Sequence, residues 1–207
     1  AAACRLAQAG ARVEILEAAR PNAGASGANA GSLHFQLERR FLENGEALAD
    51  QAASILGLNL LAIEEWRGLA DELGPDIRVH MRGGLMVAET ADEVAILERK
   101  VAREVQGGLA SRMIDGDAAR ALAPGLSETV VAASHLEAEG HADPKALTLA
   151  FATAAAARGV RLRRRCRVVA ARPVRGGYRL TVETPDGPED LTAPKILIAA
   201  GAWSARI

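Results

Sequence analysis

The sequence is short of aromatic residues, of cysteine and of net charge, and each shortage removes a class of function. Aromatic residues make up 3% of the chain, which leaves few rings on which nucleic-acid bases could stack. A formal net charge of -1 gives no electrostatic footprint for a nucleic-acid partner or an anionic membrane. The one basic run, Arg161 to Arg167, packs five arginines into seven residues. It reads as a basic surface strand in preference to a phosphate-binding arm, because the rest of the chain balances its charge. Cys4 and Cys166 are the two cysteines and belong to no CxxC pair, so neither a zinc site nor a disulfide framework is suggested and no metal is expected. A reducing setting fits, cytoplasmic or membrane-peripheral. No run reaches the roughly 18 apolar residues of a membrane span, and no charged segment precedes an apolar one at the start.

What is present is ordinary for a globular protein. With 207 residues, 49% apolar and 25% charged, the chain has room for a substantial core, as one large domain or two small ones. Ala1 to Gly10 is rich in strong helix formers and stops at a glycine. Ala11 to Glu17 then reads as a short buried parallel strand through Val13, Ile15 and Leu16, ending in an acid. Helix, glycine, strand and acid form the second half of a βαβ unit whose first half would lie upstream of Ala1.

Residues 37–74 have helical periodicity, with Leu56, Leu60, Ile63 and Leu69 as core candidates, Gly45 and Gly57 as interruptions and Pro75 as the stop. Ile77 to Val87 gives two short runs around Arg82-Gly83-Gly84, a hairpin signal. Helices are predicted over 91–105, with Val94, Leu97 and Val101 on one face, and over 115–122, closed by Pro124. A strand is predicted over 130–137. Asp143-Pro144 opens a helix reaching Gly159. Strands over 166–175 and 178–184 join across Gly176-Gly177, a second tight turn falls at Pro185-Asp186-Gly187, and 195–201 reads as a buried strand running into a glycine.

Glu17 stands where dinucleotide folds place an acid that accepts hydrogen bonds from the adenosine ribose. An acid after a strand is also often a plain surface residue. Gly24-Ala25-Ser26-Gly27-Ala28-Asn29-Ala30-Gly31 follows it, a loop whose small side chains let the backbone approach a charged or flat ligand. A flexible surface loop shares that composition, and the spacing from Glu17 favours the cofactor reading.

Four ordered segments carry a resemblance. Ala3-x-x-Leu6-Ala7-x-x-Gly10-x-x-Val13-x-x-Leu16-Glu17, then Gly24-x-Ser26-x-x-Asn29-Ala30-Gly31, then Gly140-His141-Ala142-Asp143-Pro144 preceded by Glu139, then Ala199-Ala200-Gly201-Ala202-Trp203-Ser204 together resemble the D-amino acid oxidase superfamily of flavoproteins. Its members include glycine oxidase, sarcosine oxidase and D-amino acid dehydrogenase. The resemblance implies FAD as cofactor, with Glu17 on its ribose and Ser26, Asn29, Ala30 and Gly31 along the pyrophosphate and flavin. It also implies that the Val168 backbone meets the adenine and that Ala200, Gly201 and Trp203 form a turn beside the adenosine and pyrophosphate. Asn29 stands near where relatives with a covalently tethered flavin carry a histidine, so noncovalent FAD is expected.

By the same alignment the GxGxxG turn and its strand would precede Ala1, and a further flavin-binding segment would follow Ile207. The expected fold is therefore α/β, a Rossmann-like FAD-binding domain over 1–74 and 139–207 with an inserted α+β substrate domain over 75–138. The expected reaction is oxidation of a C–N bond in a small amino acid or secondary amine to an imine. Oxygen, a quinone or a partner subunit would accept the electrons, and an oligomer is compatible. No catalytic residue is assigned, because the cofactor carries such chemistry and the protein positions it. His34 follows the small-residue loop and is weighed as a flavin neighbour against packing or surface exposure. His141 is expected to order the turn before Asp143, and Trp66 and Trp203 to pack. The rival readings are a flavoprotein subunit of a hetero-oligomeric dehydrogenase, a noncatalytic or truncated module, and, less favoured by the loop and the Trp203 turn, an NAD-dependent dehydrogenase.

Overall fold

A computed structural model describes residues 1–207, the side chain of Phe41 aside. By its contacts the chain divides into two units, Ala1–Asn29 with Pro144–Ile207, and Ala30–Asp143. The functional division drawn from the sequence, with 75–138 inserted, sets its boundaries elsewhere. Residues 30–74 and 139–143 group with the central unit because Ser32–Leu33 and His80–Met81 both pair with Gly140–His141.

Numbered along the whole chain, the first unit holds α1 (Ala2–Gln8), β1 (Glu14–Leu16), α7 (Pro144–Ala157), β8 (Arg161–Arg163), β9 (Arg167–Val174), β10 (Gly177–Thr184) and β11 (Gly187–Ala193). Strand β1 pairs with β8 in parallel, Glu14 opposite Arg161 and Leu16 opposite Arg163. Each of these strands follows a helix, and α1 packs on α7 because their facing residues are small. Cys4, Ala155 and Val160 are buried there against Ala3, Ala7, Phe151 and Ala154. Strands β9, β10 and β11 form an antiparallel meander, of which β11 was not expected beyond its turn. Two expectations are corrected. Ile15 and Leu16 are half-buried, since β1 has one neighbouring strand among the described residues. Residues 195–200 form no strand, and Leu197 and Ile198 are 66% and 47% exposed, because no described strand offers them a ladder of hydrogen bonds.

The central unit holds β2 (Ser32–Leu33), α2 (Arg39–Glu43), α3 (Glu46–Ala53), α4 (Leu56–Leu73), β3 (His80–Met81), β4 (Gly84–Ala88), α5 (Ala91–Gln106), β5 (Arg112–Asp115), α6 (Gly116–Leu122), β6 (Ala132–Leu136) and β7 (Gly140–His141). Two antiparallel sheets have the orders β2-β7-β3 and β4-β6-β5. The hairpin expected at Arg82-Gly83-Gly84 is not one. Strands β3 and β4 join different sheets, and Gly83, at φ +102°, turns the chain from one to the other. The helical stretch 37–74 breaks at Gly45 (φ +104°) and at Ser54–Ile55, whereas Gly57 lies inside α4. Buried Leu56 and Ile63 meet Leu33, Phe35, Leu37 and Leu136 in the main core.

Residues Glu46–Leu73 correct the hydropathy reading too, being long and apolar enough by length and composition to cross a membrane. Within the unit, the same stretch buries Leu56, Ile63 and Leu69 and donates from Asn59 Nδ2 to the Phe35 carbonyl at 2.8 Å.

Helix α5 begins in a capping box. Thr90 Oγ1 accepts from the Glu93 N–H at 3.3 Å, and Glu93 Oε2 accepts in return from the Thr90 N–H at 3.3 Å. Thr90→Ala removes one acceptor from the helix start and is expected to cost about 1 kcal/mol. That loss shows as a lower urea midpoint with an unchanged slope; an unmoved midpoint would reject the assignment.

Candidate cofactor site

The first unit places Glu17 directly after β1. Its backbone extends the parallel pairing, N–H to the Arg163 carbonyl and carbonyl to the Cys166 N–H, both at 2.9 Å. The carboxylate is oriented by its own chain, Oε1 accepting from the Ala19 N–H at 2.8 Å. Oε2 accepts no hydrogen bond among the described residues and is available to a donor outside the chain.

The small-residue loop contains a 3-10 turn over Ala25–Gly27. Asn29 Nδ2 donates to the Ala25 and Ser26 carbonyls at 2.9 and 3.1 Å, so the Asn29 amide shapes the loop. Asn22 Nδ2 ties the loop to the start of α7 through the Lys145 carbonyl at 3.0 Å. Ser26 and Asn29 are exposed, with open space around Gly24. Ala30 and Gly31 belong to the central unit, where the Gly31 carbonyl accepts from the Ala142 N–H at 2.9 Å.

Val168 lies on β9 opposite Val182. With Leu16 and Ile196 it packs on buried Cys166, Leu180 and Val182, so one apolar cluster gathers the end of β1, the start of β9 and the segment leading to Ala200. Gly201 takes a positive φ of +55°. The turn closes with the Trp203 N–H on the Ala200 carbonyl at 3.1 Å. Trp203 is 56% exposed, so the expectation that it packs is not met within this unit, whereas Trp66 does pack against the main core.

The central unit contains a polar constellation that the sequence reading did not find. Glu139 is buried, and Oε1 accepts from the Phe35 and Gln36 N–H groups at 2.6 and 2.7 Å while Oε2 accepts from Gln36 Nε2 at 2.8 Å. Lys100, wholly buried, donates to Gln36 Oε1 at 2.7 Å and Ser134 Oγ at 3.1 Å and pairs with Glu104 at 2.8 Å. Glu104 Oε1 in turn accepts from the Leu37 N–H at 2.6 Å. Two carboxylates and a lysine thus hold residues 35–37 against α5 and β6. The available signal was Lys100 and Glu104 at i, i+4 on the face of α5 that carries Leu97; charges default to a surface reading, and here they are inside.

His34 stands at the edge of this network, Nδ1 3.0 Å from Glu139 Oε1 and Nε2 3.5 Å from Glu38. The hydrogen bond to Glu139 raises its pKa against the opposing effect of burial. Burial pushes the Glu139 carboxyl upward, but the bonds from His34 and Gln36 outweigh it together and leave the pKa lowered. Burial likewise lowers Lys100, with Glu104 holding part of its charge. His141 lies in β7 with its ring 5.0 Å from that of His80. Gly140 beside it is obligatory, since a Cβ there would stand 1.8 Å from the His80 carbonyl oxygen.

The model of the FAD dependent oxidoreductase family, DAO, matches residues 1–207. The chain belongs to the FAD dependent oxidoreductase family. Among its relatives, glycine oxidase from Geobacillus kaustophilus is 26% identical, with a TM-score of 0.81 over 99% of this chain and 52% of that one. Glycine oxidase from Bacillus cereus is also 26% identical, with a TM-score of 0.78 over 99% and 54%. Mitochondrial dimethylglycine dehydrogenase from Rattus norvegicus is 29% identical over 147 residues, 70% of this chain and 17% of that protein. The chain therefore spans about half the length of the solved structures it matches and a smaller share of the dehydrogenase.

The residues present fit the family's cofactor. A ribose needs an acceptor at the end of a parallel strand, and Glu17 offers one carboxylate oxygen already oriented and another uncommitted. The exposed loop at 24–29 has no side chain larger than Asn29 to hold a ligand off its backbone.

Proposed function

We propose that the parent protein oxidises a C–N bond of a small amino acid or secondary amine, such as a D-amino acid, glycine or sarcosine, with noncovalent FAD. The observation that carries this reading is Glu17, an oriented carboxylate at the end of a parallel strand in a chain that belongs to the FAD dependent oxidoreductase family. Bound FAD supplies the two-electron acceptor, and water hydrolyses the resulting imine. The chain's own part is to bind and orient. Glu17 accepts from the ribose, Ser26, Asn29, Ala30 and Gly31 lie along the pyrophosphate and flavin, the Val168 backbone meets the adenine, and the turn of Ala200, Gly201 and Trp203 flanks the adenosine. The glycine oxidase neighbours and the dimethylglycine dehydrogenase relative support an amino-acid or N-methylated substrate; oxygen, a quinone or a partner subunit accepts the electrons. Unpaired, buried Cys4 and Cys166 support a reducing setting.

The test is the full-length protein, scored by its visible spectrum and by turnover of D-amino acids, glycine, sarcosine and proline with oxygen or a dye as acceptor. A folded protein without a flavin spectrum would overturn the proposal. Glu17→Gln removes a charged acceptor worth about 1.5–3 kcal/mol, so FAD is expected to bind about 10- to 100-fold more weakly. An unchanged dissociation constant in a fluorescence titration would remove Glu17 from the site.

A further inference from the structure

The central unit carries a second place where a ligand fits. One face of the β4-β6-β5 sheet presents the row Leu85, His135 and Arg112, in register across three strands, and beside it the row Val87, Ala133 and Ile114. Residues on one face at opposed positions are neighbours. Over this face a cleft of about 420 Å³ opens, bounded by Leu85, Val87 and His135 of the sheet, by Leu122 at the end of α6 and Leu126 in the turn after it, and by Arg82. Its size is in the range of small-molecule sites.

Two features of the cleft are hard to account for by packing. His135 is only 5% exposed, and its Nδ1 has no hydrogen-bond partner among the described residues. Buried polar atoms are almost always paired, so an orphan imidazole on a cleft wall points to a missing partner. Gly83 keeps the other side of the ring clear, since a Cβ there would stand 2.5 Å from Nε2. Burial first, and Arg112 second, hold the His135 pKa below its usual value, so the ring is neutral at neutral pH; Glu137 and Glu139 oppose this without reversing it. A neutral ring that carries its proton at Nδ1 leaves that N–H without an acceptor, and a carboxylate in the cleft would supply one. Arg82, exposed at the rim, makes no hydrogen bond among the described residues and adds a fixed positive charge.

We propose that this cleft binds a small monocarboxylate with a short aliphatic body, its carboxylate received by Arg82 and the Nδ1–H of His135 and its alkyl chain lying on Leu85, Val87 and Leu122. The apolar walls select the body, and the guanidinium selects the anion by charge-assisted hydrogen bonds.

The experiment titrates hexanoate into the full-length protein with labelled leucine and valine methyl groups, beside hexan-1-ol, which keeps the chain and lacks the charge. Saturable shifts of the Leu85, Val87 and Leu122 methyls are expected, with hexan-1-ol at least about tenfold weaker. Arg82→Gln, on the surface, is expected to weaken hexanoate about tenfold or more and to leave hexan-1-ol unchanged. His135→Phe serves as a second variant where it folds. The proposal is overturned by absent or unsaturable methyl shifts, by equal affinity of acid and alcohol, by an Arg82→Gln protein that binds hexanoate as before, or by a flavin spectral change without methyl shifts.

Discussion

Glu104→Leu is expected to destabilise the protein by about 3–5 kcal/mol, the cost of leaving one member of a buried ion pair uncompensated. Lys100 would keep Gln36 Oε1 and Ser134 Oγ as acceptors but lose Glu104, the carboxylate it pairs with among the described residues. The Leu37 N–H would lose its acceptor in the same change. Replacing both charges, as Lys100→Met with Glu104→Leu, removes the buried cation and is expected to recover much of the loss, because an apolar pair of similar volume does not have to be desolvated. Urea unfolding of the two single variants and the double variant separates the pair from its neighbours through the coupling energy. The loss in Glu104→Leu should also shrink as pH rises, since Lys100 already has a lowered pKa from burial and its neutral amine tolerates burial better. A single-variant loss below about 1 kcal/mol, or a double variant no more stable than the single, would show that the pair does not act as argued.

The elements that were legible in the sequence are those whose partners are near in the chain. Helix α5 was legible from Val94, Leu97 and Val101 on one face, and α7 from Asp143-Pro144, because helical periodicity and capping are local chemistry. The β1 strand was legible from Val13, Ile15 and Leu16, as were the two strands joined at Gly176-Gly177. What failed depended on a partner elsewhere. Gly83 reads as a hairpin turn, yet β4 finds β6 and β3 finds β7, a choice made by residues about 50 positions away. The stretch 195–200 has strand composition but no described neighbour to pair with. The candidate site divides in the same way. Glu17 and the loop at 24–31 were found by spacing, whereas Glu139 appeared only as the residue before a matched motif. Its role as acceptor for backbone groups more than a hundred residues away leaves no periodic trace. Lys100 and Glu104 were missed because composition cannot say that a lysine is buried.

Glu139→Gln is the sharpest test of that acceptor role. One carboxylate oxygen becomes an NH₂ group, which must point at a donor: the Phe35 or Gln36 N–H on one side, Gln36 Nε2 on the other. Each bond to the charged group is worth about 1.5–3 kcal/mol, so a loss of about 3–5 kcal/mol is expected when at least one buried donor is stranded. The pH dependence follows from two opposite shifts. Glu139 lies below its ordinary 4.5, so its contribution is complete above pH 4.5 and is lost as pH falls through the folded value. His34 lies above its ordinary 6.5, so its contribution is complete below pH 6.5 and is lost as pH rises through the folded value. The pair therefore supports the fold most between about pH 4.5 and 6.5. Because His34 is 38% exposed, solvent screening keeps its share below about 1 kcal/mol, and Glu139 carries the larger acid limb. His34→Gln should flatten the alkaline limb of a urea-midpoint profile and leave the acid limb in place, while Glu139→Gln should abolish both. An alkaline limb that survives His34→Gln would assign it to another group and leave Glu139 as a purely structural acceptor.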